Sequence, residues 1–158
     1  MKTFKRIIKE LTKQKKTIST MESCTGGGVV NEITNISGAS DVIKFSAVTY
    51  SNEYKIKMGV GKKTIEKYTV YSKETAEEMA KTISTFTNSD YGIGITGKLN
   101  RVDKNNPFGK DNLVYVSIYE KAKNKFHNFI VKATKSTRKQ NKHLVIEKIV
   151  EELENIIQ

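Results

Sequence analysis

Residues 90–97, DYGIGITG, constrain the fold of this 158-residue chain more than any other stretch. The run is short and apolar, so it reads as a buried strand, and its glycines allow another group to approach the strand backbone closely. Around it, helix and strand patterns alternate. Phe4, Ile7, Ile8 and Leu11 recur at helical spacing among lysines, which predicts an amphipathic helix over 3–14. KTISTME, 16–22, predicts a short strand ending near Ser23, and Val29, Val30, Ile33 and Ile36 predict a helix that stops before the SGAS turn. FSAVTYS, 45–51, reads as a second strand, followed by a lysine-rich segment with Tyr54, Ile56 and Met58 and by a turn at GVGKK. Ser72 is placed to cap a helix carrying Ala76, Met79, Ala80 and Ile83. LVYVSIYE and KFHNFIVKA, joined by a Lys/Asn turn, predict an antiparallel hairpin, and a last amphipathic helix runs from about Arg138. This order implies one domain over 1–158, a three-layer α/β/α sandwich around a mixed, mostly parallel sheet with one antiparallel hairpin.

Composition narrows the class of function. No apolar run approaches the ~20 residues that cross a bilayer, and the charged start MKTFKRIIKELTKQKK lacks the apolar core of a signal peptide. The single cysteine, Cys24, forbids an intrachain disulfide and fits a reducing, cytoplasmic setting. The net charge of +11 comes almost wholly from lysine, with only Arg6, Arg101 and Arg138 as arginines, and the lysines are spread along the chain. That pattern describes a solvated cationic surface, and nucleic acid is not expected as a partner. Two histidines and one cysteine make no zinc set, so no metal and no cofactor is expected.

STMESCTGGGVV, 19–30, carries the chemistry. A strand delivers Ser23 to a tight turn, and three glycines open a helix. Helix-opening amides lack internal partners and favour negative charge, so such a turn can hold a phosphate or an oxyanion. The run is neither a P-loop nor a nucleophile elbow, and a plain turn with packing glycines fits the spacing equally well.

ESCTGG at 22–27 resembles the signature of the CinA C-terminal domain family, the nicotinamide-nucleotide amidases. VTYSNEYKIKMGV (48–60), YSKETAEEMA (71–80), GIGITG (92–97) and TRKQNKHLVIEKIVEEL (137–153) resemble its further segments in the same order, so the likeness spans nearly the whole chain. It implies hydrolysis of the carboxamide of nicotinamide mononucleotide to nicotinate mononucleotide and ammonia, without a metal. By position, Ser23 would be the nucleophile, Lys55 the base that activates it, and Tyr50 a proton relay or an orienting group. Glu22, Thr25, Gly26, Gly27, Thr96 and Gly97 would line the nicotinamide or oxyanion side. Arg138 and Gln140 would lie toward the nucleotide end, with Arg138 on the phosphate. A homodimer and a small nucleotide substrate are the partners that the likeness implies, and the start at Met1 suggests a stand-alone form.

The residues themselves also admit plainer roles. Ser23 can cap the following helix, Lys55 is one lysine among many, and Tyr50 at a strand end can be a packed aromatic. Cys24 reads as a small buried apolar residue, and His127 and His143 stand apart from one another. The chain also departs from the family pattern. KLNRVDKNNPFGKDN, 98–112, replaces a glycine-dense loop, with Pro107-Phe108-Gly109 as its remnant, and Lys132-Ala133-Thr134 stands where a Gly-x-Arg is usual. Bulky Leu99, Arg101 and Val102 cannot expose consecutive amides to an anion as glycines do, although Arg101 or nearby lysines could compensate. Two readings follow: an active serine amidase, or a scaffold that binds a nucleotide or a partner without turnover. A third, nucleic-acid binding, would show itself by steep salt dependence.

Overall fold

The computed structural model describes residues 2–100 and 112–158. In chain order it contains α1 (Lys5–Gln14), β1 (Ile18–Glu22), α2 (Gly28–Thr34), β2 (Ala47–Val48), α3 (Asn52–Met58), α4 (Lys62–Tyr68), α5 (Lys73–Thr87), β3 (Tyr91–Gly97), β4 (Leu113–Glu120), β5 (Lys125–Lys132) and α6 (Arg138–Ile156). The five strands form one sheet in the order β2-β1-β3-β4-β5. β1 pairs in parallel with β2 and β3, whereas β4 pairs antiparallel with β3 and β5. Four strands therefore run one way and β4 alone runs the other. The expected hairpin is β4–β5, turned through Lys121–Lys123 and a left-handed Asn124.

Both faces of the sheet are covered, as the unbroken burial of β1 and β3 demands. On one face Ile18, Ile93, Ile95, Val116 and Ile118 pack with Ile7, Ile8 and Leu11 of α1, Val29 and Ile33 of α2, and Val145, Ile149 and Leu153 of α6. The other face carries a smaller cluster of Met21 with Val60 and with Met79 and Ile83 of α5. The glycines of β3 explain the difference in size. A Cβ at Gly92 would stand 2.1 Å from the Ala80 carbonyl oxygen, and one at Gly94 2.1 Å from that of Ala76. The backbone of α5 thus lies directly on the bare side of β3, where side chains would otherwise fill the gap.

Three elements differ from the sequence reading. The strand expected over 45–51 shrinks to Ala47–Val48, and the lysine-rich segment after it is helical. Ser51 causes the switch: its side chain accepts the Tyr54 amide and caps α3, stopping the extended chain. α4 then follows the bend at Gly61, in a stretch read only as a turn and its sequel. Leu99, expected among the loop residues, is buried in the main core instead. Arg101, Val102 and the Pro107-Phe108-Gly109 remnant lie outside the described residues.

Candidate active site

The site is built where β1 ends. Parallel pairing brings Glu22 opposite Ile95, and the next amide, that of Ser23, donates to the Ile95 carbonyl at 3.1 Å. The chain then turns: the Gly26 amide donates to the Ser23 carbonyl at 2.9 Å, and the Gly28 amide to that of Thr25 at 3.0 Å. Gly26 and Gly27 hold φ values of 61° and 93°, the left-handed region in which a side chain is strained.

Glu22 organises this turn from beneath. Its fully buried carboxylate accepts the Thr25 hydroxyl at 2.6 Å and the Val29 amide at 3.0 Å through Oε1. Through Oε2 it accepts the Thr20 hydroxyl at 3.0 Å and the Val30 amide at 2.9 Å. A carboxylate at a helix N-terminus also meets the favourable end of the helix dipole. The opening amides of α2, expected from sequence to be available to an anion, are therefore occupied by the protein's own carboxylate. Within the turn, the Thr25 and Gly27 amides are left without an acceptor among the described residues.

Lys55 arrives from α3 and is 1% exposed, while Ser23 is 8% exposed. The Lys55 Nζ lies 3.1 Å from Ser23 Oγ and 2.6 Å from the Thr49 carbonyl oxygen, to which it donates. Thr49 is fixed in turn by donating its amide to the Glu22 carbonyl at 2.8 Å. A two-turn helix capped by Ser51 and closed at Gly59 thus sets one long side chain across the end of β1. An amine in this position can donate to Thr49 and, when uncharged, accept the Ser23 proton.

The remaining sequence-predicted residues fall into two groups. Tyr50 and Arg138 come together at the rim: Tyr50 is 64% exposed, and its hydroxyl accepts Arg138 Nη2 at 3.3 Å. Thr96, Gly97 and Gln140 are engaged within the protein. The Thr96 hydroxyl donates to the Val70 carbonyl at 3.0 Å, in a loop where Thr69 holds a φ of 67°. A Cβ at Gly97 would stand 2.5 Å from the Leu113 carbonyl oxygen of the neighbouring strand. Gln140 completes a capping box with Thr137 at the start of α6.

Cys24 is inert by environment. Burial, opposed by the Lys55 and Arg138 charges, pushes its thiol from 9.0 up to about 12. Among the described residues no group of three or more His, Cys, Asp or Glu side chains could hold a metal ion. No described helix is long and apolar enough to cross a membrane.

Several contributors escaped sequence reasoning. Thr49 acts through its carbonyl, which no side-chain pattern reveals. Asn141, fully buried, donates to the Asn100 side chain at 2.8 Å and accepts the Lys135 amide at 2.8 Å, tying the segment after β3 to the start of α6. Lys142 sits one helical turn beyond Arg138, an i,i+4 spacing that would have pointed to it.

Comparison with known proteins agrees with this architecture. The family model for the CinA C-terminal domain matches residues 1–157. A CinA-like protein of Endomicrobium trichonymphae is 40% identical over 128 residues, which cover 79% of this chain and 29% of that protein. A relative from Thermoanaerobacter pseudethanolicus is 48% identical over 92 residues, 58% of this chain and 22% of its own length. The chain thus spans under a third of the length of these curated relatives. Among solved structures, the competence/damage inducible protein CihA from Agrobacterium tumefaciens superposes with a TM-score of 0.86 at 26% identity, covering 97% of this chain and 92% of that one. A competence or damage-inducible protein from Enterobacter asburiae has the same fold, with a TM-score of 0.88 at 20% identity and full coverage of both chains. With the family model matching residues 1–157 of 158, this chain belongs to the CinA C-terminal domain family.

Proposed function

We propose that the chain is a serine amidohydrolase that converts nicotinamide mononucleotide to nicotinate mononucleotide and ammonia. The observation that carries this reading is the buried contact of Lys55 Nζ with Ser23 Oγ at 3.1 Å. A serine hydroxyl is a weak nucleophile without a base, and enclosure away from water disfavours the charged form of an amine. Lys55 takes the Ser23 proton as Oγ bonds to the carboxamide carbon. The resulting ammonium then protonates the departing nitrogen, the C–N bond breaks, and ammonia leaves an ester on Ser23. Water attacks that ester and gives one proton to Lys55, which returns it to Oγ as the Oγ–carbon bond breaks, and the released acid ionises to the carboxylate by losing its proton to solvent.

The other residues serve this pair. The Thr49 carbonyl orients the amine, and Glu22 holds the turn that carries Ser23. Developing charge on the carbonyl oxygen would be met by turn amides other than those of Val29 and Val30, with Thr25 and Gly27 as the candidates. Arg138 is offered to the phosphate, and Tyr50 steadies its guanidinium.

A second reading, a scaffold that binds a nucleotide or a partner without turnover, is favoured by one observation: the Thr96 hydroxyl and the Gln140 side chain, both expected to contact substrate, are engaged within the protein instead. One experiment separates the two. Purified protein is incubated with nicotinamide mononucleotide and ammonia is assayed, with Ser23→Ala as control. Release abolished by the substitution supports the amidase, whereas binding without release from either protein supports the second reading.

A further inference from the structure

The first three side chains of one ridge of α6, spaced four residues apart, lie along the Ser23 turn. Arg138 reaches the Tyr50 hydroxyl at 3.3 Å. One turn on, the Lys142 Nζ stands 3.3 Å from where a Cβ on Gly26 would be, and Ile146 Cδ1 stands 3.2 Å from the corresponding point on Gly28. Residues four apart form one row on a helix, so the two cations and the apolar anchor share a line. Ile146 is buried and fixes the row against the turn, and the missing side chain at Gly26 leaves room for the ammonium.

The charges in this row are unbalanced. Among the described residues, the ion pairs within 4.0 Å involve Lys2, Lys57, Lys62, Lys123, His127 and Lys148, and neither Arg138 nor Lys142 takes part in one. Glu22, the carboxylate beneath the turn, is engaged by two amides and two hydroxyls. Like charges four residues apart on a helix repel each other. A pair retained beside a glycine turn, with no counter-ion among the described residues, is arranged for an anion that arrives from outside.

We propose that Arg138 and Lys142 together form a two-cation clamp for the phosphate of the substrate, with Lys142 as the inner residue that selects phosphorylated carboxamides over their phosphate-free counterparts. The inference rests on the amidase reading for the identity of the substrate, but not on turnover. Arg138 offers a planar fork at the rim, and Lys142 a compact charge over Gly26.

The test measures binding in a Ser23→Ala background by titration calorimetry, with nicotinamide mononucleotide, nicotinamide riboside and inorganic phosphate as the probes. Lys142→Gln is expected to weaken the mononucleotide about 10- to 100-fold while leaving the riboside within about twofold. Lys142→Arg is expected to restore most of the affinity, and free phosphate to compete with the mononucleotide only where position 142 is cationic. The clamp is refuted if Lys142→Gln leaves mononucleotide affinity unchanged, if it weakens mononucleotide and riboside alike, or if the parent protein does not prefer the mononucleotide to the riboside. Thermal unfolding of each variant guards against a folding artefact, and an unfolded Lys142→Gln leaves Lys142→Met and Lys142→Arg to decide by the same contrast. Absence of ammonia release from the wild-type protein, with the contrast in binding intact, refutes the amidase reading alone.

Discussion

Lys55 and Ser23, 32 residues apart in sequence, meet with Nζ 3.1 Å from Oγ, in a place closed to solvent. The amine donates to the Thr49 carbonyl at 2.6 Å, which helps to aim it at Ser23. Lys55→Met keeps the length and apolar stem of the side chain but removes the amine that the proposed mechanism uses as its base. It is expected to lower kcat about 10²- to 10⁴-fold with little change in KM, measured by ammonia release at saturating nicotinamide mononucleotide. A KM effect with kcat preserved would place Lys55 in binding instead.

Glu22→Gln tests the carboxylate beneath the turn. One oxygen becomes an NH2 group that faces an amide donor already in place, so a buried N–H loses its acceptor. A loss of about 2 kcal/mol in urea unfolding is expected, together with a fall in activity that follows the displacement of Ser23. Unchanged stability would mean that the cap of α2 is dispensable.

Gly94→Ala places a methyl group 2.1 Å from the Ala76 carbonyl oxygen, at a point where both partners are backbone. Helix and strand must part, and destabilisation of about 3 kcal/mol or more is expected from denaturant titration. Gly38→Ala is a useful contrast, since nothing stands within 4 Å of its added Cβ. Its cost should come from the left-handed φ of 90° alone, about 1 kcal/mol.

The Cys24 thiol, raised from 9.0 to about 12, makes a pH prediction. Below pH 9 the folded and unfolded chains both keep the proton. Above it the unfolded chain releases the proton first and binds fewer, so stability declines from about pH 9 upward and the loss continues to about pH 12. Cys24→Ala should flatten this alkaline decline in a series of unfolding curves. In the native protein the thiol should also stay unmodified by iodoacetamide at pH 8, as followed by mass spectrometry.

The parts of the fold legible in sequence are those in which one physical cause dominates. β3 is readable because a short apolar run with glycines has few other homes, and α6 because its apolar stripe is long. α3 and α4 are not: Ser51, a strong cap, sits in the middle of a β-branched and aromatic run that favours a strand, and only tertiary packing decides between the two. At the site, the run into Ser23 is plain from local pattern. The lysine that reaches it is not, since nothing in the spacing separates Lys55 from Lys57 and only likeness to a family selects it. Lys142 is legible only in part: its i,i+4 spacing from Arg138 puts it on the same face, but its reach to Gly26 depends on how α6 crosses the turn.

The arrangement around Glu22 bears on how relatives of this chain should be compared. The acid, the threonine three residues on and the glycines beyond them each have an architectural task that would persist if turnover were lost. A relative without any hydrolytic activity would still be selected to spell out most of ESCTGG, so that hallmark testifies to shape. Evidence of a working enzyme has to be sought in the pairing of Ser23 with Lys55, which the cap of α2 does not require.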